Sequence, residues 1–115
     1  MTEIAVTKAD DGRIDMETAP DLATALSKLQ ASKYDVIVLD LNLPDSNGMK
    51  SVTTLNNMYA ETPIVVLSGD TDEMAVLRYL EGGVQEFLLK GQVTGQMVRQ
   101  AIFIAMFRHS LKKKS

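Results

Sequence analysis

"DVIVLDLNLPDSNG", residues 35–48, sets four consecutive apolar residues, Val36 to Leu39, directly before a carboxylate, Asp40. A loop rich in Pro, Asp, Asn and Gly follows. An unbroken apolar run of this length suits a strand covered on both faces, as in a parallel sheet. Asp40 then stands at the end of that strand, where it is either a reactive group or the cap of a loop. The neighbouring segments repeat the theme. "APDLATALSKLQ" places Leu22, Leu26 and Leu29 at helical spacing behind Asp21, a plausible N-cap. Met49, Val52, Leu55 and Tyr59 mark a second helix, and "TPIVVLS" is another buried strand. A helix opening at Asp72 carries Met74, Leu77 and Leu80 and stops at Gly82-Gly83. "VQEFLLK" is the next strand, and a last helix spans residues 94–111, leaving a basic tail at 112–115. Alternating helices and strands predict an α/β layer fold around a mostly parallel sheet, in a single domain over 1–115.

The bulk properties agree with one core. The 115 residues are 45% hydrophobic and 23% charged, enough for one domain and too few for two. The absence of cysteine excludes disulfides, thiol catalysis and Cys-ligated zinc. No apolar run approaches the ~20 residues of a membrane span, and "MTEIAVTKADD" has no charged-then-apolar leader, so a cytoplasmic protein without membrane contact is expected. Six Lys or Arg stand against all fifteen acids in residues 1–89, a balance of −9, whereas residues 90–115 hold six Lys or Arg and no acid. No aromatics interleave with those cations as stacking platforms, so nucleic acid is not an expected partner. A solvated helix end, where cations are favoured, accounts for them.

In a parallel sheet the strand C-termini share one rim, where ligands gather. The last residues of the three predicted strands are Asp40, Ser68 and Lys90. A carboxylate can attack phosphorus to give an acyl phosphate, and a hydroxyl and an ammonium beside it can hold the phosphoryl oxygens. At this point the chain resembles the receiver domains of two-component response regulators, over residues 14 to about 110. "VIVLDLNLPDSNG" is similar to their phosphoacceptor strand and loop, "PIVVLSG" to the strand that ends in a switch hydroxyl, and "EFLLKG" to the strand that carries a lysine. The resemblance implies a flavodoxin-like fold with a five-stranded sheet flanked by helices. It also implies Asp40 as phosphoacceptor, Ser68 as switch hydroxyl, Lys90 as the contact to phosphoryl and carboxylate, and Phe87 as the switch aromatic. The Asn42 backbone carbonyl and Asp40 would ligate Mg²⁺, and a sensor histidine kinase or phosphotransfer protein would be the partner.

A receiver ordinarily starts with an apolar strand ending in an acidic pair that binds the Mg²⁺, then a helix, then the second strand. Asp10-Asp11 is the pair on offer, but only Gly12 and Arg13 separate it from "IDMETA". A parallel crossover needs a dozen residues or more. Asp-Gly between two strand-like runs instead predicts a β-hairpin over residues 1–18, with the first helix missing. That hairpin carries Asp10-Asp11 to the sheet end opposite Asp40 and brings Glu3 nearer the reactive rim. One long strand exchanged between two chains is the alternative.

"AIFIAMF", residues 101–107, is apolar on every side of a helix and predicts burial on more than one side. With the first helix missing, the sheet face beside this helix should also be open. Together these predict a homodimer through the final helix and that face. His109 reads as a surface residue. The functional expectation is a phosphoacceptor signalling module. The alternative is a degenerate receiver that serves dimerisation or docking without phosphate. An enzyme is not expected: haloacid-dehalogenase-type phosphatases also use a strand-end Asp, a Ser/Thr and a Lys, but they need a second acid where this chain has Asn42, and acids after the lysine, where none occurs.

Overall fold

The computed structural model describes residues 4–10, 12–40, 45, 48–69, 73–91 and 94–113. Five strands and four helices run in the order β1 (Ile4–Asp10), β2 (Arg13–Ala19), α1 (Leu22–Ala31), β3 (Val36–Asp40), α2 (Gly48–Met58), β4 (Ile64–Ser68), α3 (Glu73–Glu81), β5 (Glu86–Leu89) and α4 (Gly95–Lys113). One sheet takes all five strands in the order β2-β1-β3-β4-β5. β3, β4 and β5 are parallel, whereas β1 is antiparallel to both neighbours. The sheet is therefore mixed rather than mostly parallel. The cause is local: with two residues between β1 and β2 and no crossover helix, β1 must reverse, and it does so between two strands that both run the other way. Gly12 turns the hairpin at φ 81, a left-handed conformation that glycine takes without a Cβ clash. Both runs pair with each other as a hairpin within one chain.

The core explains the apolar runs. Ile37 and Leu39 face α1 and α2, while Val36 and Val38 face α4, and all four are at most 2% exposed. Covering both faces removes the alternation a half-solvated strand would show. The α4 side is closed more fully than the sequence suggested. Ala5, Thr7 and Ala9 of β1 are buried, and Ile14 and Phe103 pack into the same cluster as Ala5 and Ala9. Small residues on β1 let α4 and its Phe103 cover ground that a further helix would otherwise take. The open face is confined to β2, whose Met16 is 42% exposed. Arg13, Asp15 and Glu17 put charge along this edge strand, which discourages pairing with other sheets. Tyr34 ties the α1–β3 connection to β2 by donating its hydroxyl to the Glu17 carboxylate at 2.5 Å. That bond holds Glu17 below the ordinary carboxylate value and pushes the Tyr34 hydroxyl above its own.

Several expectations shift. The last helix begins at Gly95 and continues to Lys113, through half of the expected tail. Leu77 and Leu80 of α3 face solvent, at 51% and 41% exposure, and Tyr79 is the residue packed against the core. His109 is half-buried rather than on the surface, because its helix position points toward the sheet side with Met106. Asp72 lies outside the described residues. No described helix is long and apolar enough to cross a membrane.

Candidate functional site

The rim at the C-terminal ends of the parallel strands gathers the three side chains. Asp40, the last residue of β3, pairs with Leu67, and Ser68, the last of β4, pairs with Leu89. Lys90 follows directly, and its backbone N–H donates to the Ser68 carbonyl at 2.8 Å, which extends the parallel ladder by one bond. Asp40 is 1% exposed and Ser68 5%. The Lys90 ammonium forms an ion pair with Asp40 Oδ2, reaching in from a side chain that is still 27% exposed. A carboxylate oxygen is a group that can attack phosphorus, and an adjacent ammonium is one that can hold phosphoryl oxygens.

Phe87 sits three residues before Lys90, half-buried on the α1–α3 side of β5. Its ring lies 6.0 Å from that of Tyr79 at an interplanar angle of 36°. Glu86, on the other side of β5, pairs with Arg108 of α4 at 3.5 Å.

The structure adds one residue that sequence reasoning missed. Ala19 ends β2 at the level of Leu39, both facing Ile4, so α1 begins at the rim that carries Asp40. Its first turn holds no acid of its own, and Asp21 caps it by accepting from Thr24 N–H at 2.8 Å. Asp45, from the loop after β3, accepts from Leu22 N–H at 2.8 Å and Ala23 N–H at 3.0 Å. These two bonds satisfy donors that a helix leaves open and place a negative charge at its positive end. No local spacing links Asp45 to Leu22, so the sequence carried no signal for it. The Leu22 N–H, with that of Ala23, holds the Asp45 carboxyl below its ordinary 3.8. A depressed carboxylate stabilises the fold fully above its unfolded pKa and loses that contribution as pH falls through the folded value. Protection of the Leu22 and Ala23 amides, measured against their intrinsic exchange rates, should therefore fall as pH drops below 3.8, and Asp45→Ala should show the lost protection at neutral pH already.

A family model for the response regulator receiver domain matches residues 2–102. This chain belongs to that family. The receiver is 37% identical over 83 residues to the glycerol metabolism activator of Pseudomonas putida, covering 71% of this chain and 37% of that protein. It is 34% identical to transcriptional regulatory protein PrrA of Mycobacterium tuberculosis, covering 73% and 36%. It thus spans about a third of the length of these curated relatives. Among solved structures, the receiver domain of Francisella response regulator 1452 superimposes with a TM-score of 0.69 at 26% identity, covering 78% of this chain and 74% of that one.

The metal expectation falls only partly on the described residues. Asp10 pairs with Arg13 at the hairpin end, while Ile4, six residues earlier, is the residue level with Leu39. The reversed strand has carried Asp10 to the sheet end away from Asp40. Asp11, Asn42 and Glu3 lie outside the described residues. Among the described residues no three His, Cys, Asp or Glu stand close enough to hold a metal ion. The carboxylate of Asp40 is itself engaged by Lys90. Mg²⁺ prefers a near-octahedral set of oxygens around one or two carboxylates, and the described residues do not assemble one.

Proposed function

We propose that this receiver is the phosphoacceptor module of a two-component phosphorelay, phosphorylated on Asp40 by a sensor histidine kinase or a phosphotransfer protein. The observation that supports this most is the Lys90 ammonium paired with the buried Asp40 carboxylate, with Ser68 ending the adjacent strand. In the transfer an Asp40 carboxylate oxygen forms a bond to phosphorus as the P–N bond of the donor phosphohistidine breaks. The imidazole nitrogen leaves with the electron pair and takes a proton. Lys90 shifts from the carboxylate to the phosphoryl oxygens, and the Ser68 hydroxyl donates to one of them. Phe87 and Ser68, on neighbouring strands, are the pair through which the new charge biases the surface of α3 and β5. The product is a stoichiometric signal, not a turned-over substrate. The outward side of α4 adds a second role, homodimerisation.

The displaced Asp10 favours a second reading, a receiver that has kept its fold and interface without phosphate. Intact mass after incubation with acetyl phosphate separates the two, with and without Mg²⁺ and beside Asp40→Ala. One added phosphate in the wild type and none in the variant supports phosphoacceptance. A folded wild type that gains nothing in either buffer overturns it in favour of the second reading. A gain that persists in Asp40→Ala places the chemistry on another residue.

A further inference from the structure

Asp45 stands five residues after Asp40, yet both of its carboxylate oxygens are spent on α1. Oδ1 accepts from Leu22 N–H at 2.8 Å and Oδ2 from Ala23 N–H at 3.0 Å. The next donor of the helix, Thr24 N–H, goes to Asp21 at its own N-cap. Two carboxylates of different origin thus hold the first turn. Asp21 is local, whereas Asp45 comes from the segment that carries Asp40. Ala19 and Leu39 lie level on either side of β1, so the start of α1 and Asp40 stand two strand spacings apart, about 10 Å.

Asp21, Asp40 and Asp45 therefore gather three carboxylates at one end of the sheet, and Lys90 offsets Asp40. A phosphoryl group on Asp40 adds about one more negative charge there. At ~10 Å that charge is only partly screened at physiological salt. Of the two caps Asp45 is the one to yield, because it reaches Leu22 across 23 residues of sequence while Asp21 reaches Thr24 across three. We infer that the charge on residue 40 sets how firmly Asp45 caps α1, so that phosphorylation frees the first turn of this helix as a second output. The inference rests on the phosphoacceptor reading above. Because α1 packs over β1 and β2, at the sheet edge away from β5, this output is separate from that of Ser68 and Phe87.

Amide protection, taken against intrinsic exchange rates by NMR, would be read at Leu22, Ala23 and Thr24 in three charge states of residue 40. These are Asp40→Asn, the wild type, and the wild type under excess acetyl phosphate, with Mg²⁺ in every sample and uptake followed by intact mass. Protection at Leu22 and Ala23 should fall about two- to tenfold at each step, the reach of one charge across ~10 Å. Thr24 should hold steady, and the steps should shrink at 1 M salt. In an Asp45→Ala background both amides should be poorly protected in all three states. Equal protection across the states in the wild-type background would overturn the inference. So would a change shared by Thr24, which would mark a field acting on the whole helix end. A dependence that survives in Asp45→Ala would overturn the role of Asp45. A wild type that takes up no phosphate would fail the phosphoacceptor reading instead, while Asp40→Asn against the wild type would still decide whether residue 40 governs the cap.

Discussion

Lys90→Ala should slow phosphoryl uptake by Asp40 by about 10²–10³-fold, the usual loss when one preorganised donor to a developing oxyanion is removed. The same substitution leaves the Asp40 carboxylate, 1% exposed, without its ion-pair partner. Stripping one member from a fully buried pair costs about 3–5 kcal/mol. Here the lysine side chain is 27% exposed and water can reach the vacated position, so a loss of roughly 1–3 kcal/mol is expected. The two effects separate in the double variant. Asp40→Asn combined with Lys90→Ala should recover much of the stability, because no charge is left to compensate, while phosphoryl uptake stays abolished. A mass time course with acetyl phosphate and a thermal melt on the wild type, Lys90→Ala and the double variant would check this. Uptake by Lys90→Ala at the wild-type rate would mean that Lys90 only neutralises the resting carboxylate.

Gly83→Ala should be strongly destabilising although it lies away from the site. α3 ends in a complete Schellman motif: Gly83 N–H donates to the Leu80 carbonyl at 3.2 Å and Val84 N–H to that of Tyr79 at 3.1 Å. Gly83 holds φ 105, which a residue with a Cβ takes only under strain. A Cβ built there would also stand 2.5 Å from Asn56 Nδ2, the group that donates to the Gly82 carbonyl. Backbone strain and a lost hydrogen bond together are worth about 2–4 kcal/mol. For a domain of this size that lowers the melting midpoint by roughly 10 °C. Gly91→Ala is the matched comparison, since Gly91 also has positive φ, at 85, but nothing within 4 Å of an added Cβ. It should show the strain alone. Equal losses at the two positions would mean that Asn56 swings aside at no cost.

The parts of the fold legible in the sequence are those in which one local pattern has one physical cause. Val36 to Leu39 are apolar without a break because both faces of β3 are covered, so the strand and its terminal Asp40 could be read directly. Parallel order then put Ser68 and Lys90 on the same rim. Asp-Gly marked the hairpin because Gly12 alone satisfies the turn. What was hidden depended on tertiary fit. The spacing of Leu77 and Leu80 on α3 resembles a buried stripe, yet Tyr79 reaches the core instead and packs on Phe87. The closure of β1 by Phe103 follows from the small size of Ala5 and Ala9, which no periodicity expresses. Asp45 binds a helix whose sequence gives no sign of its coming.

The reversed β1 also changes the order in which this sheet can assemble. In β1 and β2 each pair, from Asp10 with Arg13 outward to Ile4 with Ala19, is local in sequence, and such a hairpin closes in about 1–10 μs. A parallel first strand would have to wait for a crossover helix and the larger loop it closes. Two strands alone are only marginally stable, so the hairpin persists once β3 docks along Thr7 to Ile4 and buries Ile37 and Leu39 against it. The receiver thereby gains an early template at its N-terminal end, and the strand that bears Asp40 is the one recruited to complete it.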